Sequence, residues 1–121
     1  MRILVVDDDV RNVFALTSAL EQKGALIEIA RNGHEAITQL REVGDIDLVL
    51  MDVMMPVMDG LTAARAIRAE ERWKKLPIVM LTAKAMPDDQ QKCIDAGAND
   101  YMSKPIDVDK LLSLVRVWMP R

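Results

Sequence analysis

A chain of 121 residues, 50% hydrophobic and 29% charged, carries enough apolar surface for one domain with one core and is too apolar to be disordered. A formal net charge of −3 gives no electrostatic reason for direct nucleic-acid binding, and a single cysteine, Cys93, excludes an internal disulfide or a multi-cysteine metal site. No apolar run reaches membrane-spanning length, and the four apolar residues between Arg2 and Asp7 are too few for a signal-peptide core, so a cytoplasmic setting is expected.

Taken in order, the chain alternates short apolar runs with helical patterns. Ile3 to Val6 reads as a strand closed by Asp7-Asp8-Asp9. Residues 10 to 23 read as a helix, with Val13, Phe14, Leu16 and Leu20 apolar and Gly24 as its stop. Leu26 to Ala30 alternates through Glu28 as an edge strand does. After the Asn32-Gly33 turn, a helix carries Ala36, Ile37 and Leu40 and ends near Gly44. Leu48 to Met51 is the third strand, and Gly60 to about Arg72 the third helix, with Leu61, Ala64 and Ile67 inward. Pro77 opens a fourth strand, Ile78 to Leu81, and Met86 to Ala96 is a shorter helix ended by Gly97. Tyr101 to Ser103 is a short fifth strand. In the last helix, Val108, Leu111, Leu112, Val115, Trp118 and Met119 follow a 3.6-residue period. With four aromatic residues in all, the aliphatic side chains and nine methionines must fill the core.

Five βα units in succession imply a parallel sheet with helices on both faces, and the unbroken apolar runs of strands one, three and four suit central positions. Ligands of such sheets bind beyond the carboxyl ends of the strands. The residues there are Asp7 and Asp8 after strand one, Asp52 after strand three, Thr82 after strand four and Lys104 after strand five. Three carboxylates converging on one edge repel one another, so either some are protonated or a cation lies between them. Oxygen donors at a solvent-facing crevice suit Mg²⁺. A metal, the Lys104 ammonium and the Thr82 hydroxyl around one carboxylate make a site for a phosphoryl group, with Asp52 as nucleophile.

The stretches "ILVVDDD", "LVLMDVMMPVMDG", "PIVMLTAKA" and "AGANDYMSKPI" together resemble the receiver domain of two-component response regulators over essentially the whole chain. "VDDDVRNVFALTSALE" and "AKAMPDDQQKCIDAGANDYMSKPID" are most similar to receivers of hybrid histidine kinases. The resemblance implies one receiver domain over residues 1–121, with a flavodoxin-like, doubly wound five-stranded parallel sheet of order 2-1-3-4-5 and five helices. It implies that Asp52 is the phosphoacceptor and that Asp8 and Asp52 bind Mg²⁺ directly, Asp7 through water, with the Met54 backbone carbonyl completing the protein ligands. Lys104 would pair with the acceptor and then the phosphoryl group, Thr82 would hydrogen-bond that group, and Tyr101 would be the rotating switch aromatic. Lys104-Pro105 would be a cis peptide. The donor would be a histidine kinase or a histidine phosphotransfer domain. A partner, or a second copy in a homodimer, would read the face of helix four, strand five and helix five. The chain would be a signalling receiver rather than an enzyme, catalysing only its own phosphorylation and dephosphorylation.

Blander readings stand beside these. Asp9, Asp59 and Asp107 read better as helix caps than as ligands. His34 reads as a solvated helix residue, Cys93 as a small hydrophobe, and "EERWKK" as a solvated, charge-mixed helix end. Met54, Met55 and Met58 are either filler for an irregular loop or the rim of a docking surface for a helical phosphodonor. Trp118 sits near the end of the last helix, where partial exposure and partner contact are both open. A haloacid-dehalogenase-type phosphatase needs an acid/base aspartate two residues after its nucleophile, where this chain has Met54. A flavodoxin-like cofactor binder needs a phosphate loop after strand one, where three aspartates would repel it.

In receivers, the residues two after the acceptor and two after the threonine set the rate of water attack on the phosphoryl group. Here they are Met54 and Lys84, neither a good general base at neutral pH. Autodephosphorylation is therefore expected to be slow, and decay of the phosphorylated mass at neutral pH over seconds would contradict this.

Overall fold

The computed structural model describes residues 1–83 and 87–118. Its elements are β1 (Arg2–Val6), α1 (Val10–Glu21), β2 (Leu26–Ala30), α2 (Gly33–Val43), β3 (Leu48–Asp52), α3 (Gly60–Ala69), β4 (Ile78–Thr82), α4 (Pro87–Asp95), β5 (Asp100–Ser103) and α5 (Val108–Trp118), with a 3-10 turn over Glu71–Trp73. The strands pair in parallel in the order β2-β1-β3-β4-β5. The expected start of the fourth helix at Met86, the Lys84 position and Met119 of the last helix lie outside the described residues.

Side chains alternate across a strand, so each central strand feeds two cores. Leu4, Val6, Val49, Met51, Ile78 and Met80 face one side, where Ala36 and Leu40 of α2, Ala63, Ala64 and Ile67 of α3 and Cys93 of α4 cover them. Ile3, Val5, Leu48, Leu50, Val79 and Leu81 face the other, covered by Leu16 and Leu20 of α1 and Leu111 and Val115 of α5. Double coverage is why these strands read as unbroken apolar runs. Edge strand β2 keeps a polar position because it is half exposed, Leu26 and Ile29 included.

Asp9, Asp59 and Asp107 cap helices as expected, and Asn32, expected only as part of a turn, caps α2 as well. Side-chain oxygens of Asp9, Asn32, Asp59 and Asp107 accept from the backbone N–H groups of Arg11, Glu35, Thr62 and Asp109, satisfying donors the first turn leaves unpaired. At Gly24, φ is +87°, a left-handed value that costs glycine nothing and ends α1. Phe14, expected only as one of the apolar residues of α1, faces solvent.

Two expectations fail between α3 and β4. The third helix ends at Ala69 rather than Arg72, because Glu70 takes an extended backbone conformation. The segment "EERWKK" is no solvated helix end: it forms the 3-10 turn and drives Trp73 into the core, 9% exposed, with the Arg72 guanidinium 4.3 Å above its ring. Arg68 organises this corner. Its three guanidinium nitrogens donate to the Gly97 carbonyl at 2.8 Å, the Trp73 carbonyl at 2.7 Å and the Asn99 side chain at 2.8 Å. The same Asn99 oxygen accepts from the backbone N–H of Ile78 at the start of β4, 2.8 Å away. Burial without a carboxylate partner lowers the Arg68 pKa, yet the guanidinium remains the group that satisfies these acceptors.

Arg68→Met keeps the stem but removes all three of these hydrogen bonds. It is expected to lower stability by about 2–3 kcal/mol in denaturant unfolding, whereas exposed Arg65→Met should change it by less than about 0.5 kcal/mol.

Candidate functional site

Strand register builds the site. Val6 pairs with Met51, so the next residues, Asp7 and Asp52, emerge side by side from β1 and β3. These strands flank the point where the order reverses, with α1 on one face and α2 on the other. The Asp7 backbone N–H bonds the Ala30 carbonyl of β2 at 3.0 Å, so this aspartate is fixed in the sheet rather than carried on a loop. Asp52 is the last residue of β3, one residue further into the strand than its apolar run suggests, and is 4% exposed. Gly60 lies against it, its N–H bonding the Val53 carbonyl at 2.9 Å, and a Cβ there would collide with the Asp52 carbonyl oxygen. Only glycine lets α3 start this close to the end of β3. Val57, between them, holds a φ of +67°, strained for a β-branched residue.

Opposite stands Lys104. Its backbone N–H bonds the Thr82 carbonyl at 2.8 Å, which brings it to the same edge from β5. Its ammonium lies 2.9 Å from Asp52 Oδ2 and 3.6 Å from Asp7 Oδ2. The second distance is too long for a hydrogen bond, and Asp7 Oδ2, wholly buried, has no hydrogen-bond partner among the described residues. Asp7 Oδ1 accepts from the Asp9 N–H at 2.9 Å, and Asp52 Oδ1 from the Met54 N–H at 3.3 Å. The peptide between Lys104 and Pro105 is cis, as expected.

Oxygen atoms of Asp7, Asp8 and Asp52 lie within 4.8 Å of one another, with Asp8 exposed at the mouth. Burial pushes the Asp7 carboxyl above its ordinary value, and the charge of Asp52 adds to this; the Asp9 N–H, Lys104 and Asn12 offset only part. For Lys104, burial disfavours the cation, but the hydrogen bond to Asp52 and the charges of Asp52 and Asp7 outweigh it and raise the pKa. One lysine against three carboxylates leaves excess negative charge. Hard oxygen donors converging on a buried orphan oxygen fit a small divalent cation such as Mg²⁺.

Thr82, the last residue of β4, is 5% exposed and pairs with Ser103, while Tyr101 lies two residues before that pair on β5. The Tyr101 hydroxyl does not reach the carboxylates; it donates to Gln90 Oε1 of α4 at 2.7 Å. A groove of about 510 Å³ lies beside the carboxylate cleft rather than in it, lined by Gln90, Tyr101, Ser103, Pro105, Lys110 and Leu114 among others. Met54 is 73% exposed, whereas Met55 and Met58 are partly buried and pack on the core. His34 is solvated, and Cys93 is buried with its thiol pKa raised by that burial. Trp118 is half-buried, its indole N–H bonding Asp100 Oδ2 at 3.0 Å. Gln90 carries no sequence signal beyond its place in a polar helix.

Residues 3–116 match the response regulator receiver domain family. The chain belongs to this family. The receiver is 37% identical over 118 residues to hybrid signal transduction histidine kinase M of Dictyostelium discoideum, a match covering 94% of this chain. It spans 5% of that kinase and 13% of the sensor protein GacS of Pseudomonas syringae pv. syringae, to which it is 40% identical over 97% of its length. Among solved structures it is similar to the receiver domain of a Pseudomonas aeruginosa PAO1 sensor histidine kinase with a magnesium ion coordinated in its active-site cleft (34% identity, TM-score 0.89, 97% and 95% of the two chains). It is also similar to the receiver domain of Ssk1 from Saccharomyces cerevisiae, co-crystallised with the histidine phosphotransfer protein Ypd1 (32% identity, TM-score 0.92, 98% and 88%).

A raised Asp7 pKa contributes stability that is present below the unfolded-state value of about 4 and lost as pH rises through the folded-state value. In EDTA at neutral pH, Asp7→Asn, which keeps the Oδ1 acceptor, should therefore raise the unfolding midpoint, the gain fading towards pH 4. Added Mg²⁺ should stabilise the parent protein and not the variant. A lower midpoint for Asp7→Asn in EDTA would contradict the charge excess.

Proposed function

We propose that this receiver takes a phosphoryl group onto Asp52, in a Mg²⁺-dependent transfer from a phosphohistidine, and relays it through a change on the α4–β5–α5 face. The observation that carries the reading is a buried carboxylate at a strand end, 2.9 Å from one lysine and crowded by two further aspartates. An acceptor buried for packing alone would be an expensive choice, whereas a nucleophile gains from a dry site with its counter-charges already placed.

Asp7, Asp8, Asp52 and the Met54 carbonyl are the groups that would hold the ion. When bound, Mg²⁺ neutralises the carboxylates and the phosphoryl oxygens. A carboxylate oxygen of Asp52 attacks phosphorus in line; the P–O bond forms as the P–N bond to imidazole breaks, and the imidazole nitrogen keeps the electron pair and takes up a proton. Lys104 exchanges its pairing with the Asp52 carboxylate for the phosphoryl oxygens, and the Thr82 hydroxyl donates to the same group. Thr82 moves towards the phosphoryl group and Tyr101 turns into the space it leaves, which alters the groove lined by Tyr101, Ser103 and Lys110.

The magnesium-bound P. aeruginosa receiver and the Ypd1 complex of the yeast receiver support a metal-dependent exchange with a histidine phosphotransfer partner. Met54, in the position where an aspartyl-nucleophile phosphatase needs an acid/base aspartate, argues against turnover of a small phosphate ester.

Incubation with acetyl phosphate should add one phosphoryl mass in the presence of Mg²⁺ and none in EDTA or in Asp52→Asn. Lys104→Ala should slow the addition by about 10²-fold. If acetyl phosphate fails, a phosphorylated histidine phosphotransfer protein is the second donor; no adduct from either would overturn the proposal.

A further inference from the structure

Tyr101 is held at two points. Its backbone N–H donates to Asp100 Oδ1 at 2.8 Å, while Asp100 Oδ2 accepts from the Trp118 indole at 3.0 Å, which ties the start of β5 to the end of α5. The ring packs partly against the core beneath α4, and the hydroxyl at its tip donates to Gln90 Oε1 at 2.7 Å. The main chain is thus fixed in the sheet, so the freedom left to this residue is rotation of the ring. Gln90 lies in the middle of α4 and lines the same groove as Tyr101. A ring that turns away from α4 must give up the Gln90 oxygen.

We propose that Gln90 is the latch of the Tyr101 switch: its side-chain oxygen holds the ring against α4, and the strength of that one bond sets how often the ring is free to turn inward and how readily Asp52 accepts a phosphoryl group. This rests on the reading of Tyr101 as a switch given above. Because the inward state is the one that phosphorylation favours, whatever raises its population beforehand also speeds the reaction. A neutral hydrogen bond exchanged for water shifts such an equilibrium by about 2–10-fold. The residue is a positioning group; it touches neither Asp52 nor a donor.

Tyr101 is the only tyrosine in the chain, so 3-fluorotyrosine places one ¹⁹F probe on the ring. The wild-type resonance is recorded in Mg²⁺ alone and after loading Asp52 with beryllium fluoride, and Gln90→Leu and Gln90→Glu are compared in Mg²⁺ alone. Gln90→Leu is expected to move the resonance towards the loaded position and to speed acetyl phosphate transfer about 2–10-fold. Gln90→Glu, which retains an acceptor, should stay near wild type. In a Tyr101→Phe background, Gln90→Leu should add nothing to the rate. A Gln90→Leu protein with wild-type resonance and rate, while the wild type still shifts on loading, would overturn the latch and leave the switch intact. A wild-type resonance that does not move on loading would remove the switch reading and the latch with it.

Discussion

Excess negative charge at the edge of a buried sheet is the constraint on which the rest of this molecule turns. Asp52 and Asp7 are withdrawn from water by their strands, and Lys104 alone stands against them among the described cations. Such an arrangement is unfavourable until something positively charged enters, and it is tolerated because the surrounding sheet leaves the carboxylates nowhere else to go. The site is therefore a demand built into the backbone: Asp7 is held by a sheet hydrogen bond to Ala30, Asp52 by its place at the end of β3, and Lys104 by its bond to Thr82.

Rigidity of that kind has to come from packing. Both faces of the sheet are covered, and β3 and β4 are buried along their whole length, so neither strand can slip without exposing a core. The close approach of Gly60 to the Asp52 backbone extends the same logic to α3. Between β3 and α3, exposed Met54 and strained Val57 sit in an irregular loop at the rim of the site. The buried Asp52 carboxylate is thus held by the sheet, while the loop that follows it is open to solvent.

The strand ends were legible in the sequence because apolar runs stop abruptly at charged residues, and a parallel sheet must present those residues on one edge. Helix starts were legible too, since Asp9, Asp59 and Asp107 announce their caps chemically. Trp73 was not: its neighbours Glu70, Glu71, Arg72, Lys74 and Lys75 mark the stretch as solvated, and the tertiary pull of one indole on a 3-10 turn leaves no periodic signal. The Tyr101–Gln90 bond was equally hidden, because it depends on the rotation of α4 about its own axis over β5, which composition does not encode. The Arg68 clamp joins residues 29 and 31 positions apart through carbonyl and amide oxygens, and backbone acceptors have no sequence identity to read.

That clamp has a mechanical meaning. By gripping Gly97 and Asn99, Arg68 pins the chain at the carboxyl end of α4, while the amino end, on the Thr82 side, lies an arm of about 13 Å away. A tilt of about 10° about that point carries the amino end roughly 2 Å and leaves Cys93 almost where it was. In that geometry any tilt of α4 would act as leverage rather than translation, greatest beside the carboxylate cleft and smallest at the buried corner around Trp73.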